Sequence, residues 1–155
     1  MKKIILLFAF ILPLFAMAKT TELTTFDEVM NALKEGKELQ AVFYYNDCQL
    51  ISDNEISEKG VDAVGGMSIS TWEYFAEGAI RNKVAFVVTS SYQLIANPLG
   101  EGYVYNYVKL KISADGKVKI TANYVDSLTH KEMMSENFFT TIFDGTEGAA
   151  HFFVK

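Results

Sequence analysis

One cysteine, Cys48, and two histidines, His130 and His151, are all this 155-residue chain holds of the side chains that commonly build cross-links or metal sites. A single cysteine excludes an intrachain disulfide, so packing must hold the fold. Three readings of Cys48 stay open: a half-buried small apolar residue, half of an intermolecular disulfide, or a reactive thiol. Neither histidine stands at a short spacing from another histidine, the cysteine or a carboxylate that would set ligands on one face, so no metal site and no cofactor are predicted. Basic residues are outnumbered, 14 Lys and Arg against 19 Asp and Glu, for a formal charge of −5. That balance argues against nucleic acid or an anionic membrane surface as partner, since both recruit clustered cations. Catalytic signatures are missing as well: there is no Gly-x-Ser-x-Gly elbow, no Gly-x-Gly-x-x-Gly and no Walker loop. The acidic stretch from Asn46 to Asp62 carries Asp47, Asp53, Glu55, Glu58 and Asp62 but lacks the ligand spacing and central glycine of an EF-hand, and reads as a solvated loop. No catalytic residue is therefore assigned.

What is present begins with a leader. Lys2-Lys3, an apolar run from Ile4 to Leu12, and Ala16-x-Ala18 have the three parts of a secretory signal peptide. The run is too short to span a bilayer, and no second one is long enough. Cleavage after Ala18 is expected, leaving residues 19–155 as one exported domain, periplasmic or secreted, without a membrane span and more acidic still once the leader's two lysines are gone.

Residues 19–24 read as a frayed lead-in. Thr25-Phe26-Asp27-Glu28 then forms a capping box, and Phe26, Val29, Met30 and Leu33 recur on one face until Gly36 stops the helix. Strands are predicted over Leu39–Tyr45, over Gly65–Phe75 entered through a glycine pair, and over Val84–Ile95, with Asn97-Pro98 starting a turn. Ser127–Ser135 is ambiguous between a turn and a short helical piece. Asn137–Phe143 and Ala149–Val154 read as a final pair, the last apolar on both faces and so in need of cover.

The clearest stretch is Gly102–Asp126. Val104, Val108, Leu110 and Ile112 before its turn, and Val118, Ile120 and Ala122 after it, keep the period of two that sends alternate side chains to one face. A two-residue Asp115-Gly116 loop would set Ile112 against Lys119. A three-residue loop, Ala114-Asp115-Gly116, pairs Ile112 with Val118, Leu110 with Ile120 and Val108 with Ala122, and the pattern selects it, with Gly116 in the left-handed bulge position. One helix followed by short, closely spaced strands predicts a mainly β fold, an antiparallel meander closed or half-closed into a calycin-like barrel, the alternative being an open sheet with the helix across one face.

Residues 25–37, the strand ending at Tyr44-Tyr45-Asn46-Asp47-Cys48, the segment from Gly65-Gly66-Met67 to Trp72-Glu73-Tyr74-Phe75 and the Val118–Asp126 strand together resemble the VirK family of small exported bacterial proteins. The resemblance covers most of the chain past the leader and implies export and a compact single domain. The family has no established activity, so it carries no site residue over.

Candidate site residues come from the hairpin. Carried outward, its register pairs Asn106 with Tyr124 and Val104 with Asp126, so one face turns from apolar to polar. That suits either a solvated rim or a pocket mouth offering an amide, a phenol and a carboxylate above an apolar floor. Trp72 is either a core anchor or part of that mouth. On the other face Tyr103, Tyr105 and Tyr107 run toward Lys109 and Lys111, as a sheet cover or as an interaction surface for a protein or glycan. The expected function is a non-enzymatic binding or interaction module for a protein, a glycan or a small apolar ligand. The alternative, a hydrolase or metal-dependent enzyme, requires His130 or His151 to meet a carboxylate or Cys48 in a cleft.

Overall fold

The computed structural model describes residues 20–52, 55–57 and 59–154; the leader lies outside them, as do Asp53 and Glu58 of the acidic stretch. The fold is mainly β and contains two antiparallel sheets. In chain order the elements are β1 (Thr21–Leu23), α1 (Phe26–Lys34), β2 (Leu39–Tyr44), a 3-10 turn (Tyr45–Asp47), β3 (Gln49–Ser52), β4 (Glu55–Ser57), β5 (Val64–Ile69), β6 (Trp72–Phe75), β7 (Phe86–Ala96), β8 (Tyr103–Ser113), β9 (Lys117–Asp126), β10 (Glu132–Thr141) and β11 (Ala150–Val154). The smaller sheet has the order β1-β11-β2-β5 and the larger β4-β3-β10-β9-β8-β7-β6. Among the described residues no closed barrel is found, and the runner-up single open sheet is replaced by two.

The hairpin register is the one the hydrophobic pattern selects. Ile112 faces Val118, Leu110 faces Ile120, Val108 faces Ala122, Asn106 faces Tyr124 and Val104 faces Asp126. Gly116 takes φ 81°, a conformation open to glycine without a Cβ clash. The capping box also forms: the Glu28 amide donates to Thr25 Oγ1 at 3.2 Å, and the Thr25 amide donates to the Glu28 carboxylate at 3.2 Å. That satisfies first-turn donors that have no partner within the helix.

Four expectations are corrected. Thr21–Leu23 is not a frayed lead-in but a strand on β11, so the apolar last strand is flanked by β1 and β2 and presents no open edge. The acidic stretch contains β3 and β4, which extend the larger sheet beyond β10. Gly65–Phe75 is two strands in different sheets, β5 on β2 and β6 on β7, so Met67 and Ile69 belong to one sheet and Trp72 and Phe75 to the other. The final pair also divides between sheets: β10 pairs with β9 and β3, β11 with β2 and β1, and just past β10 Ile142 bridges Ala150.

The two sheets share one core. Leu39, Ala41, Phe43, Met67, Ile69 and Phe152 from the smaller sheet cluster with Val87, Leu110, Ile112, Val118, Ile120 and Phe138 from the larger. Helix α1 adds Phe26, Val29, Met30 and Leu33, all buried. The Lys34 ammonium stands 5.5 Å from the Tyr74 ring, so the helix C-terminus lies beside β6, level with the hairpin turn. One end of the space between the sheets is thus filled by the helix, and the hairpin's far end lies away from it.

A candidate binding cavity between the sheets

Along the inner face of β8 and β9, Leu110, Ile112, Val118 and Ile120 are buried, Val108, Ala122, Asn106 and Tyr124 half-buried, and Val104, one step beyond Asn106, is buried again. A cavity of about 320 Å³ opens over the half-buried residues. Phe43, Val108, Ala122 and Phe138 form an apolar floor, Gly65 and Gly66 of β5 the opposite wall, and Asn106, Tyr124, Glu136 and Tyr45 bring polar atoms.

Tyr45 is placed by the 3-10 turn that carries the chain from the smaller sheet to the larger. Its amide donates to the Ala63 carbonyl at 3.0 Å and its carbonyl accepts from the Cys48 amide at 3.1 Å. The ring lies 4.5 Å from Phe138 and 6.3 Å from Phe43, centre to centre. Burial pushes its phenol up to about 12, with Cys48 and Tyr124 adding to the shift. It therefore stays a neutral hydroxyl at physiological pH. The strand β5 can pass over this ring because residue 65 is glycine: a Cβ there would stand 2.6 Å from the phenol oxygen.

Cys48 sits directly after this turn and is fully buried, its thiol donating to the Tyr44 carbonyl at 3.4 Å. Burial pushes the thiol up to about 11; a Thr140 hydrogen bond opposes this and nearby Asp47 adds to it. The small-apolar-residue reading of Cys48 fits this position, since a neutral, enclosed sulfur is neither nucleophilic nor within reach of another chain.

The structure brings Asn106 and Tyr124 together on the cavity wall and leaves Asp126 out. The Asp126 carboxylate is used in the following turn, accepting from the Leu128 amide at 3.0 Å and from the Thr129 amide and hydroxyl at 2.6 and 2.8 Å. Those bonds, the Thr129 amide foremost, hold its carboxyl below the ordinary value. Trp72 does not reach the cavity either: it packs half-buried against the core and lines a separate, broader groove with Tyr107 and Lys109. Tyr103, Tyr105 and Tyr107 lie on the outer face, and helix α1 is on the other side of the sheet. Glu136, Met134, Phe43 and Tyr45 are cavity residues that the sequence reading missed. The signal for two of them was available: one further register step sets Glu136 opposite Ala122 and Met134 opposite Tyr124.

The two histidines differ. His130 occupies a turn at φ 56° and is exposed. His151 Nδ1 lies 2.6 Å from Glu22 Oε1, its ring stacked on Phe143 at 4.3 Å and met edge-on by Tyr44 at 5.2 Å. His151, but not Glu22, lines a surface groove with Asp47 and Glu147. Among the described residues no group of three His, Cys, Asp or Glu side chains is arranged to hold a metal ion.

No curated protein matches the chain. The fold is similar to the crystal structure of lpg1832, a VirK family protein from Legionella pneumophila, with a TM-score of 0.62 at 16% sequence identity over 84% of this chain and 97% of that one. Residues 22–130 match the family model described as VirK protein, so the chain belongs to the VirK family.

Proposed function

We propose that this protein is an exported, non-enzymatic binding module whose ligand enters the cavity between the two sheets. The observation that carries this reading is the apolar floor of Phe43, Val108, Ala122 and Phe138 meeting the polar atoms of Asn106, Tyr124 and Glu136 in one concavity of about 320 Å³. That volume lies at the lower end of the range for small-molecule sites, which runs from roughly 300 to 1,000 Å³. The ligand is accordingly a compact, mostly apolar molecule with one hydrogen-bonding end, the apolar body on the floor and the polar end toward Asn106 and Tyr124. A half-closed barrel describes this arrangement: β5 and β6 follow each other from one sheet to the other, and Ile142 bridges Ala150 where β10 runs on into β11. A single domain spanning residues 19–155, released by cleavage after Ala18, completes the proposal.

Native mass spectrometry of the protein from its source compartment tests it. A co-purifying small molecule is expected, and Val108→Trp, which fills the cavity from its floor, should abolish it while the protein remains folded. Ligand-free protein from that compartment, together with binding of apolar fluorescent probes that Val108→Trp leaves unchanged, would remove the reading.

One observation favours the hydrolase alternative, the 2.6 Å contact between His151 and Glu22 beside a groove. In that reading Glu22 orients the imidazole and His151 acts as general base. Hydrolysis of a panel of ester and glycoside substrates that disappears in His151→Gln would support it over the binding module.

A further inference from the structure

We propose that the outer face of the larger sheet, turned away from the cavity, is a platform for an acidic glycan. The register builds it from adjoining zones. Tyr92 pairs with Tyr107 and Leu94 with Tyr105 across β7 and β8, and the Tyr92 and Tyr105 rings meet edge to face at 6.1 Å. Tyr92 is 72% exposed and Tyr103 62%, which is more than covering a sheet requires. One step along β8 toward the hairpin turn stands Lys109, and one step further Lys111 lies directly opposite Lys119 of β9. None of these three lysines takes part in the ion pairs formed among the described residues.

Two like charges opposite each other in a ladder are destabilising, and the fold offsets part of this by seating the Lys111 ammonium 4.0 Å from the Phe86 ring and the Lys119 ammonium 5.4 Å from the Phe139 ring. A bound anion relieves the rest. On a chain of net charge −5 this is a local reversal of sign, and such a patch draws anionic partners. Between the tyrosines and the lysine pair, a groove of about 340 Å³ is walled by Trp72, Tyr107, Lys109, Thr71 and Ser90, with Glu73 its one carboxylate. Aromatic faces beside hydroxyls and an ammonium match a sugar, which presents C–H faces, hydroxyls and, in an acidic glycan, a carboxylate or sulfate. Tyrosines at alternate positions of one strand stand roughly 7 Å apart, a repeat suited to a repeating polymer rather than to a single small ion. The same face carries Glu132 of β10, whose carboxylate accepts from the Asn123 side-chain amide at 3.2 Å beside Tyr107, and association of two copies through this face is an outcome the test reads.

The test titrates isotopically labelled mature protein with an alginate hexasaccharide, which has one carboxylate per sugar, and with cellohexaose, which is neutral. Alginate is expected to shift the amides of Tyr92, Tyr105, Tyr107 and Lys109 and cellohexaose is not. Affinity should fall about tenfold in Tyr107→Ala, the loss expected of one interface anchor, and again in the Lys109→Gln and Lys111→Gln pair. It should also weaken with salt as surface charges are screened. Val108→Trp should leave this binding unchanged, which separates it from occupancy of the cavity. The inference is overturned by equal binding of the neutral sugar, by no shift with alginate, by shifts that survive these substitutions, by hexaglutamate binding as tightly as alginate, or by a dimer forming through this face. Preserved dispersion of the β8 and β9 amides in each variant establishes that any loss is not unfolding.

Discussion

The Tyr45 phenol lies against the bare backbone of Gly65, where a single added Cβ would stand 2.6 Å from its oxygen. This one contact lets the smaller sheet close over the ring that walls the cavity. Gly65→Ala should therefore swing Tyr45 away from Phe138, costing about 0.5–1.5 kcal/mol of ring contact. Urea unfolding measures that loss, and the same variant should bind apolar fluorescent probes less tightly.

Cys48 offers a test of how closed the core is. Its sulfur is enclosed and its thiol is held neutral, so the native protein should resist an aromatic disulfide reagent at pH 8. Labelling should accelerate with urea in step with loss of β-sheet circular dichroism. Rapid labelling of the folded protein would contradict this burial.

Asp144 contributes to the acid sensitivity of the fold, as do Glu28, Asp115 and Asp126, whose carboxyls are also held below their ordinary values. The Asp144 carboxylate accepts from the Glu147 amide at 2.9 Å and from the Thr146 hydroxyl and amide at 2.8 and 2.9 Å, which hold its carboxyl at about 2 instead of the ordinary 3.8. A depressed folded value means the contribution is complete above the unfolded value and disappears as pH falls through the folded one. Stability should accordingly decline between about pH 4 and about pH 2, and Asp144→Ala should flatten that part of the curve. Urea midpoints across this range for both proteins provide the check.

Leu110 and Val108 lie on one face, two residues apart, and should respond differently to truncation. Leu110 is fully buried between the sheets, so Leu110→Ala should cost about 2–5 kcal/mol in urea unfolding. Val108 borders the cavity and is only partly buried, so Val108→Ala should cost distinctly less while enlarging the site.

Thr25→Ala removes the hydroxyl that accepts the Glu28 amide and leaves a first-turn donor without its cap. A loss of about 1 kcal/mol is expected, with Thr25→Ser restoring most of it.

Legibility in the sequence followed the range of the interactions. The capping box and the hairpin register are local, since a few neighbouring residues and a turn length suffice to specify them. The polarity change at Asn106 and Tyr124 was readable for the same reason. Asp126 was placed at the same mouth because it shares their face, yet the next three residues supply donors that draw its carboxylate into a turn. Glu136 was missed because the strand that carries it begins after a stretch, Ser127–Ser135, that has no clear period of its own. The split of Gly65–Phe75 was not legible: Met67, Ile69 and Phe75 share one parity and Trp72 and Tyr74 the other, and mixed faces do not say where one strand ends or which sheet the next one enters.

The sequence by itself determined the elements whose information is contained within them: the start of α1, the turn at Gly116, and which residues of β8 and β9 share a face. Only the tertiary structure decided that the strands divide between two sheets, that β1 flanks β11, and that Tyr45, Gly65, Asn106 and Glu136 surround one cavity. The physical reason is that strand alternation fixes which way a side chain points relative to its own strand. Which strand lies opposite is set by the burial of apolar faces from distant segments, a choice that no single segment contains.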